Sequence, residues 1–367
     1  MMKIESLFFE LIHVSLGNSG SLSHTPTAEE WGSLFDMAMK QSLVGICFAG
    51  VVSCREKELP GAHSIPEDLY YNWMGMAMQI QQRNELVAQR CLQASRGFRK
   101  AGFRSCILKG QGLLSLYDSP ARLVGLRQSG DIDIWVDGDR DKTMAYVRST
   151  GAYVDHASVK HADIHIFDDT EVELHFIPTW FYNPITEMKL KRWVELNKDE
   201  QFENVVEDGF CIPTSSFNLV FILIHIYKHL FDEGVGLRQL MDYYFVLMHS
   251  SNKERAQAYN VVASLGMRHF AGAVMYVIQK ALGMKDECLL CPPNVKNGEF
   301  LLDEIMVAGN FGHHDPRKCK KSRSAVVRGY NGLKRNVRFL TSYPSEILWA
   351  PFWKVWHWCW RKKHGYL

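Results

Sequence analysis

Three short segments alternate between polar and apolar residues: DIDIWV (131–136), ADIHIF (162–167) and EVELHF (171–176). Side chains along a strand point to opposite faces in turn, so a period of two fits a sheet and not a helix. Ile132, Ile134 and Val136 fall on one face, and Asp131, Asp133 and Trp135 on the other. Val172, Leu174 and Phe176 likewise oppose Glu171, Glu173 and His175, while Ile164 and Ile166 oppose Asp163 and His165. Strands paired with their aliphatic faces together would gather these carboxylates on one side. Asp131 and Asp133 would sit about 6.5 Å apart along the strand.

The surrounding chain supplies the rest of a small sheet. FRSCIL (103–108) reads as a strand, Lys109-Gly110-Gln111-Gly112 as a turn, and LLSLYDS as a short helix. Asp139 to Thr150 fits a helix closed by Gly151, and AYVDHAS (152–158) is a further strand. Asp168-Asp169-Thr170 is a hairpin turn between the last two strands. Helical spacing dominates elsewhere, as in Trp31, Leu34, Phe35, Ala38 and Met39, and Pro66-Glu67-Asp68 opens a long helix. The expected architecture is α+β: a small mixed sheet flanked by N-terminal and C-terminal helical regions. The expected divisions are 1–100, a core at 101–184, a helical domain at 185–340 and a tail at 341–367.

Two apolar segments raise the question of a membrane. MMKIESLFFELIHVSL is broken by Glu5, Glu10 and His13 and reads as an amphipathic helix rather than a signal peptide. FNLVFILIHIYKHLF (217–231) contains His225, Lys228 and His229 and reads as a core helix rather than a span. The net charge of +2 conceals an uneven distribution, since residues 313–367 carry thirteen Lys and Arg against two acids. In the tail, ILWAPFWKVWHWCWRKKHGYL sets five Trp among basic residues. Packing on the body is its first reading, contact with a membrane surface the second, and nucleic acid the third. Nine cysteines without a disulfide spacing suggest reduced thiols and a cytoplasmic protein, with the tail as a peripheral contact at the inner membrane face. Cys288-Leu-Leu-Cys291, with His313, His314 and Cys319 beyond, offers zinc-type ligands but only one spaced pair, so ordinary cysteines are expected.

Closely packed carboxylates raise one another's pKa, and a divalent cation relieves the conflict. Hard oxygen donors suit Mg²⁺ bridging to substrate phosphates, and two ions about 3.5–4 Å apart can clamp a phosphoryl displacement. A lone Asp-x-Asp is more often a solvated strand face; here its neighbours favour chemistry. Lys109, Gly110, Gln111 and Gly112 form a strand–turn–helix stretch in which backbone N–H groups can approach an anion. Arg122 and Arg127 precede the Asp pair, with Arg122 the more ordinary surface residue. On the helical side, His225 with His229 and Arg238 with Asp242 are each four residues apart. They form either a polar seam between helices and sheet or the wall that closes a site, with His229 and Arg238 the residues expected there.

A strand, a glycine turn opening a helix, an Asp-x-Asp strand and a carboxylate on a later strand resemble the polymerase-β-type nucleotidyltransferase superfamily. LKGQGLLSLY, RQSGDIDIWV and VELHF more closely resemble an uncharacterised bacterial nucleotidyltransferase family, over about residues 103–176. The resemblance implies that Asp131 and Asp133 hold metal, that Glu173 is the third carboxylate and helps activate the acceptor hydroxyl, and that Gly110 and its neighbours hold the triphosphate. Further contacts are expected from Arg127, His175, His229, Arg238 and Asp242. Three features depart from the superfamily pattern: Gln111 in the turn, the 21-residue step from Gly110 to Asp131, and Glu rather than Asp at 173. The expected activity is transfer of a nucleoside monophosphate from NTP to a hydroxyl acceptor with Mg²⁺, two ions, or Mn²⁺. The alternatives are a silent nucleotide-binding regulator and a membrane-surface interaction protein.

Overall fold

The computed structural model describes residues 2–19, 21–58, 63–118, 123–206, 209–317, 334 and 336–364. Four helices come first: α1 (Met2–Leu16), α2 (Ala28–Gln41), α3 (Val44–Glu56) and α4 (Glu67–Lys100). The sheet region comes next, with β1 (Arg104–Ile107), a 3₁₀ stretch (Gly110–Asp118), β2 (Ile132–Asp137), α5 (Arg140–Ser149), β3 (Tyr153–Ala157), β4 (His161–His165) and β5 (Val172–His175). The chain then returns to helices: α6 (Pro184–Glu203), α7 (Ser215–Asp232), α8 (Leu237–Met248), α9 (Asn252–Ser264), α10 (Arg268–Leu282), α11 (Val295–Ala308) and α12 (Pro344–Lys363). This is an α+β fold with a small mixed sheet between helical regions.

All five expected strands form, with ends within two residues of the expected ones. Their order is β1-β2-β5-β4-β3, with β2 and β5 parallel and the other pairs antiparallel. The parallel pair fixes the register that matters. Asp133 lies opposite Glu173, and Glu173 opposite Asp163, so the three acids form one row across three strands. At the next position along β2 and β5 on the same face, Trp135 lies opposite His175.

The aliphatic face, with Ile132, Ile134, Val136, Leu174 and Ile164, packs on Val87, Cys91, Ala94 and Phe98 of α4 and on Met144 and Val147 of α5. The opposite face is covered as well. Trp135 is buried against Phe202 of α6 at 4.6 Å and Phe217 of α7 at 5.9 Å, tying the sheet to the main helical core. The carboxylate row is therefore partly covered, with Asp133 buried and Glu173 and Asp163 half-buried.

Local signals set the helix ends. Thr27 and Glu30 form a capping box on α2, as Ser251 and Glu254 do on α9, and Gly283 closes α10 in the left-handed conformation. The 34 residues of α4 span about 51 Å at 1.5 Å per residue. That length lets Trp73 and Ala77 join the main core while Val87 to Phe98 support the sheet. The segment 217–231 is the buried α7, as its composition implied, and α1 is a core helix carrying Leu7, Phe8, Leu11 and Ile12. No helix among the described residues is long and apolar enough to cross a membrane.

Candidate active site

β1 delivers the first charged group. The Leu108 N–H donates to the Asp133 carbonyl at 2.9 Å, which holds Lys109 beside β2. The Lys109 ammonium lies 2.7 Å from Asp133 Oδ1, and His175 Nε2 meets the same oxygen at 2.9 Å. Asp133 is only 3% exposed. Burial alone would push its carboxyl up, but Lys109 and the His175 hydrogen bond outweigh burial and hold it below the ordinary carboxylate range.

The neighbouring acids behave oppositely. Glu173 is pushed up by burial, with Asp133 adding to the rise. Asp131 is exposed, one residue ahead of β2, and is pushed up chiefly by the Asp133 charge and then by desolvation. Burial opposes the charge on Lys109, yet Asp133, Glu173 and Asp131 together raise its pKa above the ordinary value. His175 is raised in the same way against its burial, by Glu173 and Asp133.

Two groups among the described residues bring ligand atoms within 4.8 Å of one another: Asp133 with Glu173 and His175, and His161 with Asp163 and Glu173. Glu173 belongs to both and lies 3.5 Å from His161 Nδ1 and 3.6 Å from His175 Nε2. Asp131 is in neither group. Its carboxylate instead stands where two openings meet. One, about 450 Å³ including its mouth, is lined by Lys109, Gly110, Asp133, His225, Arg238 and Phe311 among others. The second is a broad surface depression toward Arg83, His165 and Glu171.

The glycine turn serves packing as well as access. Gly110 has φ +56°, and a Cβ on Gly112 would stand 2.4 Å from the Ile107 carbonyl oxygen. The Gln111 side chain points inward, donating from Nε2 to Asn84 Oδ1 and to Ser129 Oγ, each at 3.1 Å. Asn84 of α4 also donates to the carbonyls of Gly125 and Arg127 at 2.6 and 2.8 Å. This asparagine thus pins the loop that leads into the Asp pair. No sequence motif marks it; its only signal is a polar residue on the inward face of an otherwise apolar helix stripe.

Arg127 makes a buried bidentate pair with Asp242, both N···O distances being 2.7 Å, and Tyr117 donates to the same carboxylate at 2.6 Å. Burial opposes its charge, but Asp242 raises the Arg127 pKa further. Both residues line the cleft from within this pair. The i, i+4 spacing suggested Arg238 as the partner of Asp242. Arg238 instead donates to the Gln128 carbonyl at 3.0 Å and lies 5.1 Å from the Phe311 ring centroid.

His229 is held by Glu233 at 3.3 Å and packs edge-on against His225 at 4.2 Å. His225, one turn earlier on α7, is the histidine of this pair that lines the cleft, and burial followed by Lys109 keeps its pKa well below the ordinary value. Phe311, at φ 50°, was not foreseen from the sequence, since a left-handed phenylalanine has no local signature. Arg122 and Cys319 lie outside the described residues. Cys288 and Cys291 are free, and neither metal-ligand group among the described residues contains a cysteine.

A mixed sheet that aligns carboxylates from two parallel strands, beside a lysine and a glycine turn on a cleft, has the parts of a phosphoryl-group-transfer enzyme. Residues 27–283 match the family described as uncharacterised nucleotidyltransferase, and the chain belongs to that family. It is accordingly an enzyme of the nucleotidyltransferase class, with NTP as substrate. No curated protein matches the chain. The matched span contains every residue of the cleft named above except Phe311, and ends before α11 and α12.

Proposed function

We propose that the protein transfers a nucleoside monophosphate from NTP to a hydroxyl acceptor, assisted by Mg²⁺, and that it is built on the polymerase-β-type plan. The observation that carries this reading is the in-register placement of Asp133 beside Glu173 on parallel strands, with the Lys109 ammonium at the same carboxylate. The residues fit a divalent ion. Asp133, Glu173 and His175 already bring ligand atoms within 4.8 Å of one another, and Asp131 and Glu173 both have raised pKa values in a crowd of acids.

Asp131, Asp133 and Glu173 would hold the metal, two ions in this reading, and Mn²⁺ could substitute. The bound ions would neutralise charge on the phosphates and lower the pKa of the attacking hydroxyl. Lys109 brings a fixed positive charge to the phosphate side, and the Gly110 turn leaves backbone room for the triphosphate. His175 orients Asp133 through its Nε2 hydrogen bond. Glu173, the third carboxylate, helps activate the acceptor hydroxyl. Arg127 and Asp242 support the cleft wall, while Arg238 and His225 bound it from the helical side, with His229 packed behind His225. The eight described cysteines are free, which supports a cytoplasmic setting, and the C-terminal helix is the element suited to peripheral membrane contact.

Calorimetry with each NTP and Mg²⁺ tests the site by comparing the wild type with Asp131→Ala/Asp133→Ala. Mg²⁺-dependent binding by the wild type alone is expected. Equal binding by both proteins would remove the metal-site reading. A screen of hydroxyl acceptors with labelled NTP then identifies the receiver.

A further inference from the structure

The C-terminal helix α12 turns its apolar side outward. Its inward face is held by aromatic and cationic contacts. Trp353 packs on Tyr182 at 5.3 Å, and the buried Lys160 ammonium sits 4.1 Å from the ring centroids of both Trp353 and Trp180. The Arg140 guanidinium lies 5.1 Å from the Trp360 ring, and Glu346 accepts the backbone N–H groups of Tyr182 and Asn183 at 2.7 and 3.1 Å.

On the opposite side, Leu348, Phe352, Val355 and Trp356 are 58, 70, 65 and 51% exposed. The first three succeed one another at helical spacing and form a single stripe, with Trp356 on its flank. Arg361, Lys362 and Lys363 gather at the carboxyl end of the helix, and residues 347–367 contain no Asp or Glu.

We propose that α12 docks the protein on an anionic lipid surface. Leu348, Phe352, Val355 and Trp356 enter the boundary between headgroups and acyl chains, and the terminal cations meet the anionic headgroups. Charge complementarity selects this occupant. A second copy of the same face offers the terminal cations no acid, since residues 347–367 contain none. A nucleic acid would need cations interleaved with flat rings along the face, whereas this stripe alternates Leu348 and Val355 with Phe352 and Trp356 and contains no cation, Arg361, Lys362 and Lys363 lying beyond its end. The inward contacts leave the stripe free, so docking requires no detachment of the helix. A chain of contacts also links it to the site: Trp180, which shares Lys160 with Trp353, stacks on His161 at 5.7 Å, and His161 meets Glu173.

Co-sedimentation of the full chain with vesicles of phosphatidylcholine, alone or mixed with phosphatidylglycerol, tests the proposal. No nucleotide is present, so the result does not depend on the proposed activity. Binding to the anionic vesicles is expected, weakening at high salt. Phe352→Ser/Trp356→Ser should lower partitioning by about tenfold or more with an unchanged melting temperature. Lys362→Glu/Lys363→Glu should remove the preference for anionic lipid. Three results would overturn docking: no binding by the wild type, equal binding by the serine variant, or a dimer in size-exclusion chromatography that the serine variant dissolves. Retention of the helix on RNA in preference to vesicles would do the same.

Discussion

At Asp133, burial and partner charge pull in opposite directions, and the partners win. The carboxylate stays ionised because Lys109 and His175 reach one of its oxygens at 2.7 and 2.9 Å. Asp133→Asn keeps the shape but removes the charge that both partners answer. Nucleotidyl transfer should fall by roughly 10³-fold, as for loss of a preorganised charge at a reacting phosphate, while the protein stays folded; initial rates with the identified acceptor and a melting curve check both halves. Arg127 poses a different question, because its guanidinium is already committed to Asp242 inside the protein. Removing one partner of a buried pair strands the other, so Arg127→Ala should destabilise by about 3–5 kcal/mol in urea unfolding. A loss well under about 1 kcal/mol, the range of an exposed pair, would return Arg127 to the set of exposed phosphate ligands. The alternation in 131–136 and 171–176 was enough to put Asp133 and Glu173 on one face, since strand geometry leaves two faces only. Spacing could not assign partners. Asp242 has an arginine four residues before it in its own helix, yet it pairs with one on a distant loop.

At the scale of elements, the glycine turn after β1 must satisfy two demands in four residues. It lets Lys109 reach Asp133, and it brings Gly112 against the Ile107 carbonyl. A Cβ at Gly112 cannot be absorbed by a flexible side chain, because the atom it meets is backbone. Gly112→Ala should therefore cost about 1–3 kcal/mol and weaken Mg²⁺–NTP binding by moving Lys109; calorimetry and unfolding of the same variant separate the two effects. Unchanged affinity in a destabilised variant would mean that the turn supports the fold only. Element identity was legible because period two and period 3.6 are local signals, which is why the five strands and α7 fall where their patterns put them. The parallel pairing of β2 with β5 was not legible. It depends on a crossover through α5, β3 and β4, and no residue within either strand encodes its neighbour. The inward Gln111 was hidden for the same reason, since its partner Asn84 comes from α4, earlier in the chain.

For the whole molecule, the matched family span ends at residue 283; the chain beyond it joins the main core through Leu301, Ile305, Phe339 and Ile347 and is tied internally by ionic contacts. Arg317 binds Asp315 at 2.7 Å and Glu304 at 2.8 Å, and Arg338 reaches Glu304 at 2.9 Å, so α11 and the approach to α12 share one charge cluster. Burial raises the Asp315 carboxyl, but the hydrogen bonds and charge of Arg317 outweigh it and hold the pKa below 3.8. A carboxyl lowered in the folded state contributes stability above its unfolded pKa, and this contribution is lost as pH falls through the folded value. Glu346 has the opposite sign. Burial raises its pKa above 4.5, so its protonation on acidification favours the folded state and offsets part of the loss. Asp315→Asn isolates the first contribution. At pH 7 the variant should be about 1 kcal/mol less stable than the wild type, a value discounted for the partial exposure of Arg317. That gap should narrow once the pH drops below about 4 and close below the folded pKa, where both proteins carry a neutral group at this position. Urea unfolding at pH 7 and at successively lower pH measures it directly. A gap of constant size would mean that shape, not charge, fastens this part of the chain.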